Sequence, residues 1–290
     1  MKLSNLMVAM AAAFAFSGVA SAATVSSAVP AGSVLFSDNS AEYMISGLED
    51  KNAATLDVGD SLRGIFSIDN IKTVGSLNPA TAIGAGTAYN ELTGLFQVVV
   101  TSKSFAFSRG GQDFYDYVFG FDATFGKGAN VIGVLYDDIA KDFTRDGCAT
   151  TAGCEATATG GNVWATLGFG TGGFWSAVGA AETPGIGGVL PATTPLGTFG
   201  MGLNFITNNT GYEWNKVACF DSLTFTSSAV DVCGQGGILA SGRTLPGANT
   251  PYDIFDNVDF TMNRVPEPGS LLLLGAGLLG LGSVRRKKAA

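Results

Sequence analysis

The sequence predicts an all-β fold, an antiparallel β-sandwich of jelly-roll type, on three observations. Apolar and polar residues alternate over long stretches. Away from the two ends, no stretch keeps a 3.6-residue apolar period. Glycine is heavy, 41 of 290 residues, and charged residues are scarce, 14% against the usual quarter. Period two gives each strand one apolar face, and strands joined by polar turns bury those faces by stacking as sheets.

The first element is MKLSNLMVAMAAAFAFSGVASA, residues 1–22. Lys2 supplies a short positive start, Leu6 to Phe16 an apolar run, and Ala20-Ser21-Ala22 a small-x-small site. That order describes a secretory signal helix cut between Ala22 and Ala23. The apolar run falls short of the roughly 20 residues a permanent span needs. Everything that follows is therefore expected to leave the cytoplasm.

Residues 23–264 read as one exported domain, since no linker is clean enough to divide them. In FYDYVFGFDATF, Tyr115, Tyr117, Phe119, Phe121, Ala123 and Phe125 share one face. YDIFDNVDFTMN repeats the pattern, with Ile254, Val258, Phe260 and Met262 on one side. Shorter strand candidates are SVLFS, EYMISG, LRGIFSI, LFQVVVTSKSFAFS, NVIGVLY, NVWATLGFG, FGMGLNFIT and ACFDSLTFT. Turn-rich stretches separate them, among them TRDGCATTAGCEATATGG and a long loop around Pro184 to Pro195.

Four cysteines in an exported chain read as two disulfides. Four allow three connectivities, and Cys148–Cys154 with Cys219–Cys233 is favoured because each closes a short loop. Zinc is disfavoured, since there is no C-x-x-C and no histidine. The absence of histidine also excludes Ser-His-Asp and Cys-His catalysis. Setting aside Lys2, the four basic tail residues and Glu267 leaves 11 basic against 23 acidic residues in the body, a net charge of −12. Such a surface repels nucleic acid, whose binding depends on neutralising phosphates.

The densest acidic cluster is YDDIAKDFTRDG, with Asp137, Asp138, Asp142 and Asp146. Its spacing is not that of an EF-hand, and solvated loop charge is the favoured reading over a calcium site. Asp253, Asp256 and Asp259 fall mostly on a polar strand face. Trp164, Trp175 and Trp214 suit core packing, with Trp175 the best candidate for an exposed sugar-stacking platform. The body shows no P-loop and no G-x-S-x-G. No catalytic residue, cofactor or metal site is expected.

The last 26 residues are VPEPGSLLLLGAGLLGLGSVRRKKAA. Pro266 and Pro268 flank Glu267 and hold that segment extended, the conformation a protease or transpeptidase binds. Residues 269–284 hold seven Leu, five Gly and one Ala with no charge, a short transmembrane helix by composition. Arg285, Arg286, Lys287 and Lys288 then form a cytoplasmic stop. A marginal span suits a temporary anchor that holds the chain while an enzyme cuts upstream.

Val265-Pro266-Glu267-Pro268, the Gly/Leu run and Arg-Arg-Lys-Lys together resemble the PEP-CTERM protein-sorting signal. The resemblance covers residues 265–290 and implies a Gram-negative host, with Pro266, Glu267 and Pro268 as the recognition element. It also implies processing by an exosortase-type enzyme and transient residence in the inner membrane through the C-terminal helix. The systems that carry this signal accompany exopolysaccharide production. The sequence therefore leads to a non-enzymatic surface or matrix protein with a structural or adhesive role in biofilm or flocs. The alternatives are a carbohydrate-binding module and a carboxylate-based polysaccharide hydrolase.

Overall fold

A computed structural model describes residues 23–45, 56–145, 148–180, 195–239 and 254–266. The strands are β1 (Gly32–Ile45), β2 (Ser61–Thr73), β3 (Thr81–Ala82), β4 (Glu91–Arg109), β5 (Gln112–Phe121), β6 (Gly133–Asp138) and β7 (Asn162–Gly168). They continue as β8 (Phe174–Ala180), β9 (Pro195–Asn208), β10 (Trp214–Asn215), β11 (Val217–Asp221), β12 (Thr226–Val230), β13 (Val232–Leu239) and β14 (Ile254–Arg264). Two short helices accompany them, α1 (Val25–Ala28) and α2 (Thr151–Ala158).

The strands pair antiparallel in the order β2–β1–β14–β13–β9–β7–β6–β4, and β4 pairs back onto β2. Eight strands thus close into a barrel-like sheet, where the sequence led to two stacked sheets. Closure comes from the long strands. β4 takes β2 on one edge, while its other edge takes β6 along Glu91–Phe96 and β5 along Val98–Arg109. β9 does the same with β8 and β7. A period-two pattern does not say which edges meet, so sandwich and barrel look alike in sequence.

The barrel is filled, with Phe36, Leu92, Ile132, Trp164 and Met262 among the residues buried in it. Its interior keeps an apolar cavity of about 40 Å³ between residues such as Phe96, Leu135, Trp175 and Phe260.

One end of the barrel, the base, holds the starts of β1, β4, β7 and β13 and the ends of β2, β6, β9 and β14. α1 caps it, with Val25 and Val29 fully buried in the main core. Ser26 ties α1 down by accepting a bond from Trp164 Nε1 at 2.9 Å and donating to the Thr210 carbonyl at 2.7 Å. The opposite end carries the β4–β5 hairpin. Its two-residue loop, Gly110-Gly111, has both φ angles positive, as a type I′ turn requires.

The long alternations hold in part. Tyr117 and Phe119 point into the core, as do Val258, Phe260 and Met262. β5 stops at Phe121, however, because Asp122 caps a 3₁₀ turn over Ala123–Phe125. Phe125 is thereby carried to a second core outside the barrel. α2 lies in the stretch expected to be turns; its eight residues are too few to show a period, although Thr150 caps it by accepting from Gly153 N.

Among the described residues, no helix is long and apolar enough to cross a membrane. The expected signal helix (1–22) and the expected transmembrane helix (269–284) lie outside the described residues.

Candidate functional site

Residues of β4 alternate between the barrel interior and an outer face that is also covered. Leu95 faces Ile65 and Val134 across its two neighbouring strands, and all three are buried beneath Cys154 and Ala158 of α2. The Cys148–Cys154 disulfide, with Cα atoms 5.4 Å apart, staples the preceding loop to that helix. A second disulfide joins Cys219 of β11 to Cys233 of β13 across 5.3 Å.

Polar side chains at the edge of this patch fasten α2 to the barrel. Arg63 meets both carboxylate oxygens of Glu155 at 2.6 and 2.7 Å and also donates to Gln97 Oε1 at 2.7 Å. Gln97 donates in turn to Asp122, which accepts further bonds from Ser61 and Thr124. Burial alone would raise the Asp122 carboxyl. The bonds from Ser61, Gln97 and Thr124 outweigh it and hold the group down at about 2.

A carboxyl lowered on folding stabilises the protein above its unfolded value near 3.8, and the contribution disappears as pH falls through about 2. Asp122→Asn is therefore expected to cost about 2 kcal/mol at neutral pH and to flatten the loss of stability between pH 4 and 2. Urea unfolding across that range checks it. An unchanged slope in the variant would exclude Asp122 as the source.

At the base end of the same outer face, Glu91 of β4 lies directly opposite Asp138 of β6. Oxygens of Glu91, Asp138 and Asp142 all lie within 4.8 Å of one another. Glu91 and Asp138 are 5% and 3% exposed, while Asp142 faces solvent. Glu91 accepts from Phe143 N at 3.0 Å, and Asp138 Oδ1 accepts from Ala140 N at 2.8 Å. Asp138 Oδ2 is buried with no hydrogen-bond partner. Burial pushes the Glu91 carboxyl up to about 7; the bond from Phe143 opposes this, and the charges of Asp138 and Asp142 add to it.

Two acidic residues expected to stand together are thus joined by Glu91, which the sequence reading missed. Asp137 points elsewhere, bonded to Asn90 Nδ2 at 2.6 Å and to Val25 N at 3.3 Å. Asp146 lies outside the described residues. Trp175 is 6% exposed and packs among Phe96, Phe119 and Phe199, so it is a core residue and no sugar platform. Trp164 is buried too, and Trp214 packs against it at 6.3 Å.

The two ends of the body meet the base. Ala23 pairs with Tyr89, donating to the Ala88 carbonyl and accepting from Asn90 N, each at 2.9 Å. Arg264, the last residue of β14, bonds the Val29 carbonyl and lies 3.3 Å from the Tyr212 ring centroid. Val265 N donates to Glu213, and Pro266 is exposed. Ala20, Ala22, Glu267, Pro268, Arg285, Arg286, Lys287 and Lys288 lie outside the described residues.

No curated protein and no solved structure matches the chain. Residues 264–287 match the family model for the PEP-CTERM protein-sorting motif. The match begins at Arg264, where the last strand of the barrel ends. The C-terminal tail is therefore a PEP-CTERM sorting signal, which indicates exosortase-dependent export and sorting to the cell surface.

Proposed function

We propose that this chain is a non-enzymatic surface protein with a structural or adhesive role in the extracellular matrix, biofilm or flocs, in association with exopolysaccharide. In this reading the signal peptide exports the barrel, and the short C-terminal helix holds a precursor in the inner membrane. An exosortase-type enzyme then cuts near Pro266–Glu267–Pro268. The sorting motif carries the reading.

Two features of the body support it. The β4–β5 hairpin stands at the barrel end away from the tail and exposes Phe105 and Phe107, 58% and 45% accessible. Tyr115 packs edge-on against Phe105 and Phe114 stacks on Phe107, which leaves an aromatic surface suited to contact. The Glu91–Asp138 pair is buried on the outer wall, an arrangement unlike the open cleft between two carboxylates that glycoside hydrolysis uses.

Deleting the exosortase gene of the host tests the sorting step. The expected result is accumulation of the full-length chain in the inner membrane. Normal processing and release in that strain would sink the reading.

A further inference from the structure

We propose that Glu91, Asp138 and Asp142 form a calcium site on the outer wall of the barrel, at the rim of its base. The carboxylate oxygens stand within 4.8 Å of one another, close enough for one cation with calcium–oxygen bonds of about 2.4 Å to reach all three residues. The register makes the pairing obligatory, since Glu91 and Asp138 are directly opposite across antiparallel strands. Like charges placed so are destabilising unless something offsets them.

Asp138 also carries a buried oxygen that the protein leaves unbonded. The residue is 3% exposed, and no protein group donates a hydrogen bond to its Oδ2. A buried carboxylate oxygen without a partner is rare and costly. Among the described residues no basic side chain pairs with any of the three carboxylates. Lys141, in the same loop, sends its Nζ to the Thr87 carbonyl. A bound cation supplies the missing partner and the missing charge together.

The donor set selects the ion. It is all carboxylate, with no histidine in the chain and all four cysteines held in disulfides. Hard oxygen ligands exclude a soft-metal site. Two ligands come from neighbouring strands and the third from the irregular loop after β6, with Asp142 open to water. Calcium accepts such a varied shell, with waters completing it, more readily than magnesium does. Bound there, it would tie the loop after β6 to the barrel wall beside the disulfide-stapled α2.

The test uses the full chain in detergent, stripped with EDTA and titrated with calcium chloride by calorimetry and thermal unfolding. One ion should bind with Kd of about 0.1–1 mM, the range of extracellular modules, and Tm should rise with calcium. Glu91→Gln and Asp142→Asn should each weaken binding about tenfold or more, and Asp113→Asn on the distant hairpin should not. Glu91→Gln should also raise Tm in EDTA, because it removes a buried like charge, yet gain little from calcium. A purely structural glutamate would not reverse in this way. No heat and no Tm shift up to about 10 mM calcium, or a calcium response kept by both variants, overturns the site. A magnesium response as large as that to calcium overturns the choice of ion.

Discussion

Replacing Pro266, Glu267 and Pro268 together with alanine is expected to leave the chain full-length and membrane-bound, with surface release reduced about tenfold or more. The reason lies in where the body stops. Arg264 and Val265 are still fastened to the base, through Val29, Tyr212 and Glu213. Pro266 is already exposed, so the recognition element begins where the barrel's hold on the chain ends. Two prolines hold such a segment extended and prevent it from joining a helix downstream. Alanine removes that stiffness and Glu267 takes the charge with it; recognition contacts worth about 1.4 kcal/mol account for each tenfold.

The same substitution should leave the barrel untouched, since β14 ends at Arg264, before the first of these residues. Membrane fractionation with intact-mass measurement reads the first effect, and urea unfolding of the precursor reads the second. Wild-type processing of the triple variant would remove the role assigned to these residues. Lost processing with a destabilised body would instead point to misfolding.

The strands legible in the sequence are those whose side chains alternate in size. Tyr117 and Phe119, or Val258, Phe260 and Met262, announce their inward face by themselves. β13 does not, because its run VCGQGGIL puts glycine where large neighbours already fill the space. A Cβ on Gly236 would stand 2.6 Å from Phe199 Cζ, and one on Gly234 would stand 2.5 Å from Met201 Cε. The information for that strand is held by β9. β8 was hidden differently, since Trp175 stood out as the best candidate for an exposed platform, whereas its ring is buried among other aromatics.

The carboxylate site was half visible for a related reason. Asp138 and Asp142 are neighbours in sequence, and their cluster drew notice. Glu91 belongs to another strand and reaches them only through the β4–β6 register. Whether a charge is solvated or buried also depends on what covers it, and here the cover is the loop whose Phe143 N bonds Glu91. Neither fact follows from spacing along one chain segment.

Phe36→Ala is expected to cost about 3–5 kcal/mol, the largest loss from a single truncation proposed for this body. Phe36 is fully buried in β1 and stacks on Phe260 of β14 at 4.9 Å, with Trp164 at 6.3 Å. It sits opposite Phe260 on one neighbour and Ile71 on the other. A truncation cost grows with the void left behind, and the void shrinks only if the walls can move inward. Here the wall is a closed ring of hydrogen-bonded strands, and Phe260 already borders a cavity of about 40 Å³. The packing therefore has little means of collapse, and the cost should fall toward the upper part of the range. Phe36→Leu should recover more than half of it, because most of the buried volume returns. Phe105→Ala, at a ring 58% exposed, should cost within about 0.5 kcal/mol. Urea unfolding of the three variants distinguishes the cases, with unchanged m-values showing that the native state alone is affected. A Phe36→Ala loss below about 1.5 kcal/mol would mean that the ring yields around the void, and that the barrel is less firmly closed than its strand pairing implies.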